Sequence, residues 1–338
     1  MKKIYKILIY AVAGLMILLV SGLIMLRSQH LHISEDTRIY IPNQASYNDL
    51  LDTLSTHNCL PNKAFFGTVA RVRGLNNHIK PGSYVLHPKM SVVSVVQNLY
   101  NGNQTPIRLT IPKKRTPEQL CQYLGQKLAM DADSLLTLIT SDSICQIYNE
   151  TPATIIGLFT QNTYEVYWTI SPQGLLDRMK RESDTFWASR QSQLQALQMT
   201  RQQVLTIASI VDEETNCNEE KADIASVYLN RYRIGMPLQA DPTVKYAIGD
   251  FSIRRIMGSM LKIDSPYNTY LYSSLPPGPI CIPAVSSIDA VLKNKKTDYF
   301  FFCAKEDFSG RHNFSSTILQ HQINAQNFHK ALNERNIK

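Results

Sequence analysis

The chain has 338 residues, 44% apolar and 18% charged, which excludes a disordered or collagen-like polymer and leaves room for about two folded units. Its 35 Lys and Arg against 27 Asp and Glu give a net charge of +8, but Lys2, Lys3, Lys6 and Arg27 account for half of that excess. No Lys/Arg block with interleaved aromatics occurs elsewhere, so nucleic acid is not an expected partner.

Residues 7–26, ILIYAVAGLMILLVSGLIML, carry no charge. At about 1.5 Å rise per residue the run makes about 30 Å of helix, enough to cross a hydrocarbon core. It is longer than the roughly 7–15 residues of a secretory signal core, and RSQHLH after it offers no small-residue cleavage site. Three lysines before the run and one arginine after it place residues 1–6 in the cytoplasm. Residues 7–27 are then a single-pass transmembrane helix, and the rest of the chain lies beyond the cytoplasmic (inner) membrane.

RIYIPNQ (38–44) alternates like a half-buried strand. Ser46 caps a helix to about residue 55, with Leu50, Leu51 and Leu54 on one face. A second helix runs over 63–73 to Gly74, and HIKPGSYVL (78–86) turns through Pro-Gly into a strand, completing a βααβ unit. A helix over 90–100 and a strand in TPIRLTIP (105–112) follow. Residues 116–147 read as helical, with caps at Thr116 and Asp131, and 150–172 as extended or looped. Helices are expected over 174–198, 200–216 and 219–234, then loops as far as Pro283. A short helix over 286–293, a strand over 298–304 and a helix over 317–335 close an α+β pattern without repeats.

The six cysteines form no C-x-x-C or zinc spacing, and a chain of this length builds its own core, so most read as buried free thiols. G-x-S-x-G, G-x-G-x-x-G, the phosphate-loop pattern and HEXXH are all absent, and no cofactor or metal is expected. His312 and His321 read as structural or surface residues.

The helix over 200–216 carries the chemistry. Val204, Ile207, Ile210 and Val211 form a core-facing stripe, and the acids Asp212, Glu213 and Glu214 follow. Glu214 stands three, four and seven residues after members of the stripe and continues it, whereas Asp212 and Glu213 fall over other faces. A carboxyl at the end of a buried stripe is partly desolvated, which raises its pKa toward the range of a general acid. The alternative from periodicity is a solvated helix end. Downstream, MPLQADPT, SPYNTY and LPPGPICIP are polar or Pro-rich loops holding Gln239, Asp241, Tyr267, Asn268 and Tyr270, a set of amides, carboxylate and rings that suits a polyhydroxylated ligand. Ordinary turn chemistry explains the same residues.

ASIVDEET (208–215), IASVYLNRYRIGMPLQADPTVKYAIG (224–249), DSPYNTY (264–270), SLPPGPI (274–280) and HNFSSTILQHQINAQ (312–326) occur in the order seen in the endolytic murein transglycosylases of the YceG-like family. IKPGSYVL and LYNGNQTPIRLTIP are similar to that family's LysM-like region, and the resemblance covers nearly everything after residue 38. It implies a LysM-like module over 38–112 and a larger mixed α+β catalytic domain over 113–338. It also implies cleavage of the β-1,4 bond between N-acetylmuramic acid and N-acetylglucosamine of nascent peptidoglycan glycan strands, without water, leaving 1,6-anhydro ends and terminating strand elongation. Glu214, followed by Thr215, matches the family's catalytic glutamate, and peptidoglycan synthases are implied as partners. Gln239, Asp241, Tyr267 and Asn268 are assigned to sugar binding or to orienting Glu214. Asp212 stands where many members have Glu, and so competes for the catalytic role. Gln161 replaces a turn proline in GLFTQNTYE (157–165) and loosens that turn. Two other functions stay open: a non-catalytic peptidoglycan-binding tether, and a two-carboxylate hydrolase using Glu214 with Asp241.

Overall fold

The computed structural model describes residues 5–6, 10–16, 30–60, 62–253 and 255–335. The apolar run expected to span the membrane lies largely outside the described residues; of it, residues 10–16 are described, helical and mostly exposed. Among the described residues no helix is long and apolar enough to cross a membrane. The chain divides into two compact units: 1–109 with 127–129 and 165–170, and 110–126 with 130–164 and 171–338.

In the smaller unit β1 (Thr37–Ile41) pairs antiparallel with β2 (Gly82–Leu86), in a register running from Thr37 opposite Leu86 to Ile41 opposite Gly82. Between them lie α1 (Tyr47–Thr56) and α2 (Lys63–Arg73), so the βααβ order is present. Helix α1 starts in a capping box, in which Ser46 accepts from the Asp49 amide and Asp49 accepts from the Ser46 amide. Helix α2 stops at Gly74, whose φ of +78° a side chain would oppose. Helix α3 (Val92–Asn101) follows with Ser91 as its cap. Ile39, Ile41, Leu50, Leu54, Phe66 and Val95 meet in its core, the faces that strand and helix periodicities turn inward.

The remaining elements begin with β3 (Ile107–Thr110). The helical stretch over 116–147, with expected caps at Thr116 and Asp131, is three helices: α4 (Pro117–Lys127), α5 (Ala132–Ile139) and α6 (Asp142–Ile147). Asp131 accepts from the Ser134 amide at 2.7 Å and so starts α5 afresh. The Thr-rich segment contains a short turn of helix at Ile155–Leu158 and β4 (Thr163–Val166), which pairs with β3. The expected helix over 174–198 is likewise two, α7 (Pro172–Ala188) and α8 (Gln191–Leu197). Gln198 then turns left-handed at φ +57°.

Three helices build the core of the larger unit: α9 (Arg201–Glu214), α10 (Lys221–Arg233) and, after a helix and long loops, α12 (Val285–Leu292). Helix α9 is buried on every side from Val204 to Asp212. The helix missing from the sequence reading is α11 (Asp241–Ile248). Its Asp-Pro start reads as a turn, but Pro242 sits in the first helical turn, where a missing N–H costs nothing. The chain ends in an antiparallel pair, β5 (Phe301–Ala304) with β6 (His312–Ser315), and α13 (Ile318–Glu334). All six cysteines are free thiols, four of them buried.

Candidate active site

Asp212, Glu213 and Glu214 meet three different environments at the end of α9. Asp212 is buried, and its carboxylate is held by Lys113 at 2.8 Å, Lys221 at 3.1 Å and the Ser287 hydroxyl at 2.5 Å. Burial alone would raise its pKa; the lysines and Ser287 outweigh burial and hold it below the usual carboxylate range. Glu213 accepts two hydrogen bonds from the Arg115 guanidinium, at 2.8 and 3.1 Å. Both acids are therefore occupied in cross-linking α9 to the segment before α4 and to α10 and α12.

Glu214 is half-buried and takes part in no ion pair among the described residues. Its Oε1 accepts from the Tyr228 hydroxyl of α10 at 2.6 Å. Burial pushes its pKa up to about 7, and the neighbouring charges of Asp241 and Glu213 add to that, while Tyr228 and Lys245 pull the other way. The stripe argument expects the raised pKa of this residue, but for an incomplete reason. Asp212 lies on a different face and is buried more deeply than Glu214, because the helix is enclosed all round. At Asp212 the lysines and Ser287 outweigh burial, whereas at Glu214 burial prevails.

A cavity of about 280 Å³ opens in front of Glu214, lined also by Tyr228, Arg231, Gln239, Asp241, Tyr270, Phe302 and His321. Asp241, the first residue of α11, accepts from the Tyr270 hydroxyl at 2.6 Å, so the cavity holds two phenol–carboxylate pairs. Arg231 is buried and donates to the carbonyls of Leu238 at 2.8 Å and Phe300 at 2.7 Å. It thereby ties the loop before α11 to the strand region. Gln239 adopts φ +53°, a left-handed conformation that sets its exposed amide at the cavity with Oε1 3.3 Å from Arg231.

Tyr267 and Asn268 do not line the cavity. Tyr267 packs its ring on Tyr246 at 4.6 Å. Asn268 is fully buried; its amide donates to the carbonyls of Leu261 and Ile263 and its oxygen accepts from the Tyr270 amide. Tyr228 and Arg231 reach the cavity from α10 and Phe302 from β5, and no sequence signal marks them as neighbours of Glu214. His321, read from sequence as structural or surface, lines the cavity with Nδ1 lacking a hydrogen-bond partner; burial and Arg231 hold its pKa down. His312 instead faces Glu220, 3.2 Å away. Gln161 donates to the Ile282 carbonyl, pinning the turn that the missing proline would otherwise stiffen. Among the described residues no group of His, Cys, Asp and Glu is placed to hold a metal ion. A larger cavity, about 560 Å³, opens around Glu150 and the start of α9, at the opposite end of that helix from Glu214.

The sequence profile of the YceG-like family matches residues 39–327. The endolytic murein transglycosylase of Bacillus subtilis is 26% identical over 313 residues, covering 88% of this chain and 86% of that protein. The endolytic murein transglycosylase of Streptococcus pneumoniae is also 26% identical, over 294 residues that make up 78% of this chain but only 53% of that protein. The crystal structure of a yceG-like protein from Listeria monocytogenes superposes with a TM-score of 0.57 at 28% identity, covering 86% of this chain and 99% of that one.

Proposed function

The chain belongs to the YceG-like family, and on that premise we propose that it is an endolytic lytic transglycosylase cutting peptidoglycan glycan strands, with Glu214 as its catalytic residue. The observation that carries this reading is a half-buried carboxyl with a pKa of about 7 and no ion pair among the described residues, open to a cavity of amides, phenols and a second carboxylate. The names of the relatives in Bacillus subtilis and Streptococcus pneumoniae point the same way.

Near neutrality a useful fraction of Glu214 is protonated, and the same group is a competent base once ionised. As an acid it gives its proton to the glycosidic oxygen between N-acetylmuramic acid and N-acetylglucosamine, and the bond from that oxygen to C1 breaks. The Glu214 carboxylate then takes the proton from the 6-hydroxyl of the N-acetylmuramic acid, whose oxygen bonds to C1. The ring closes as a 1,6-anhydro end and no water is consumed. A hydrolase needs two carboxylates for these tasks. Here the nucleophile is already attached to the sugar, and proximity replaces the second group. Tyr228 aims the Glu214 carboxylate, while Gln239, Asp241 and Tyr270 bind sugar hydroxyls. Tyr267 and Asn268 act through the loop that carries Tyr270. Residues 7–27 anchor the enzyme in the cytoplasmic membrane, residues 38–112 form a LysM-like module, and cleavage outside the cytoplasm terminates strands made by neighbouring synthases.

Purified glycan strands digested with the protein, then analysed by mass spectrometry, are expected to carry 1,6-anhydro ends, and Glu214→Gln to produce none. Full activity in Glu214→Gln would overturn the assignment. Because Asp241 shares the cavity, a two-carboxylate hydrolysis is the second reading; incorporation of oxygen-18 from solvent water into the new reducing ends would establish it instead.

A further inference from the structure

The smaller unit carries an apolar groove that glycan cleavage does not use. Phe65, Val69 and Val72 form one face of α2 at i, i+4, i+7 spacing, and with Val93 and Val96 of α3 they line a groove of about 370 Å³. Val72 is 86% exposed and Val93 is 37% exposed, so the groove opens to solvent instead of closing on the core beneath it. Exposed apolar surface of this kind is uncommon on a protein that meets only water.

The charged side chain lining it among the described residues is a cation, Arg73. From Thr53 to Pro117 the sequence contains no Asp or Glu. Lys63, Arg71 and Arg73 all stand on α2, and α3 carries no charge. An apolar groove lined by an arginine and by no carboxylate matches an anionic lipid surface, since the apolar groups enter the acyl boundary and the guanidinium meets phosphates.

Chain geometry supplies the lipid. The apolar run ends at Leu26, and four residues later His30 forms a β-bridge to Ser91, the residue that caps α3. The Leu31 amide then donates to the Met90 carbonyl at 2.9 Å. Four residues reach at most about 14 Å. The start of α3 is therefore tied to a point that close to where the run leaves the bilayer.

We propose that the α2–α3 groove seats on the anionic phospholipid headgroups of the same membrane that holds the anchor. The proposal rests on reading residues 7–27 as that anchor. Seating makes the smaller unit an interfacial module as well as a folded one, with Val72 and Val93 at the acyl boundary and Arg73, which lines the groove, among the phosphates.

The test uses the full chain reconstituted into vesicles of phosphatidylcholine with phosphatidylglycerol, in a Cys217→Ser, Cys303→Ser background. A fluorophore is attached at Val72→Cys, at Val93→Cys or, as a control, at Asp52→Cys on α1. The groove labels are expected to lose quenching by aqueous iodide and to gain quenching by spin-labelled lipid, while the Asp52 label stays open to iodide. Phosphatidylcholine alone, or Arg73→Glu, is expected to abolish the lipid quenching. If the protein floats with the vesicles and resists carbonate washing but the groove labels behave like the control, the seating proposal is wrong and the anchor stands. Release by carbonate would overturn the anchor and the seating with it. Shielding from iodide without lipid quenching would place another protein surface in the groove and refute the proposal.

Discussion

Asp212 lies deeper than Glu214, yet only Glu214 keeps its proton up to about pH 7, because two lysines and a serine hydroxyl stabilise the Asp212 charge while Glu214 meets a neutral phenol. The difference sets two signs. Folding raises the Glu214 pKa above its ordinary 4.5, so the folded state binds more proton between pH 4.5 and 7, and stability falls as pH rises through that window. Glu214→Gln removes the loss; at about pH 8 the variant is expected to be more stable than the wild type by about 1–3 kcal/mol, with the difference vanishing below about pH 4. Chemical unfolding at both pH values checks this, and an inactive but stabilised variant is the pattern expected of a group kept for function. Tyr228→Phe removes a hydrogen bond that favours the carboxylate, so the Glu214 pKa rises further. The alkaline limb of kcat/KM is then expected to move to higher pH, with the rate down roughly tenfold. An unmoved limb would show that Tyr228 only packs. Asp212→Ala leaves Lys221 buried without its carboxylate and is expected to cost about 3–5 kcal/mol in an unfolding titration.

At the scale of elements, α9 is held at the depth that desolvates Glu214 by contacts along its length. A capping box of Thr200 and Gln203 starts it. Ser209, buried mid-helix, accepts from the Ile280 amide at 3.0 Å and so pins the Pro-rich loop to the helix. That loop passes so close to the segment before β4 that a Cβ on Gly278 would stand 2.0 Å from the Ala153 carbonyl oxygen. Backbone cannot yield as a side-chain tip can, so Gly278→Ala is expected to lose about 1–3 kcal/mol of stability or more. Cleavage should fall with it, because Ile280 moves away from Ser209; a melting curve beside the activity assay checks both. The Asp-Pro start of α11 has a comparable role, since it sets Asp241 opposite Tyr270.

For the whole molecule, the charge of +8 splits into an N-terminal part that flanks the apolar run and a part concentrated between residues 53 and 117, where acids are absent. The first part fits a membrane anchor and the second a surface facing anionic lipid. A chain starting at His30 is expected to stay in the supernatant of sedimented phosphatidylcholine vesicles at physiological salt while still cutting isolated strands, since Glu214 and its cavity residues all belong to the larger unit. Loss of cleavage in that shortened chain would show that the N-terminal segment serves more than tethering.

The α+β order, the βααβ unit, the signature helix and its terminal glutamate were legible in the sequence, because periodicity, caps and glycine stops are local properties of the chain. The stretch over 116–147 shows the limit: the helix start at Asp131 was readable from its cap, but the further break at Ser141, which makes no side-chain cap hydrogen bond, was not. Tyr228, Arg231, Phe302 and His321 were not legible as site residues. They come from α10, β5 and α13, and what brings them to Glu214 is the packing of those elements around α9. The sequence singles out Glu214 by helical face, but the electrostatic difference among Asp212, Glu213 and Glu214 belonged to tertiary structure. A carboxyl's proton affinity depends on the charges and dipoles within a few ångströms, and here those arrive from Lys113, Arg115, Lys221 and Tyr228, between 9 and about 100 residues away along the chain.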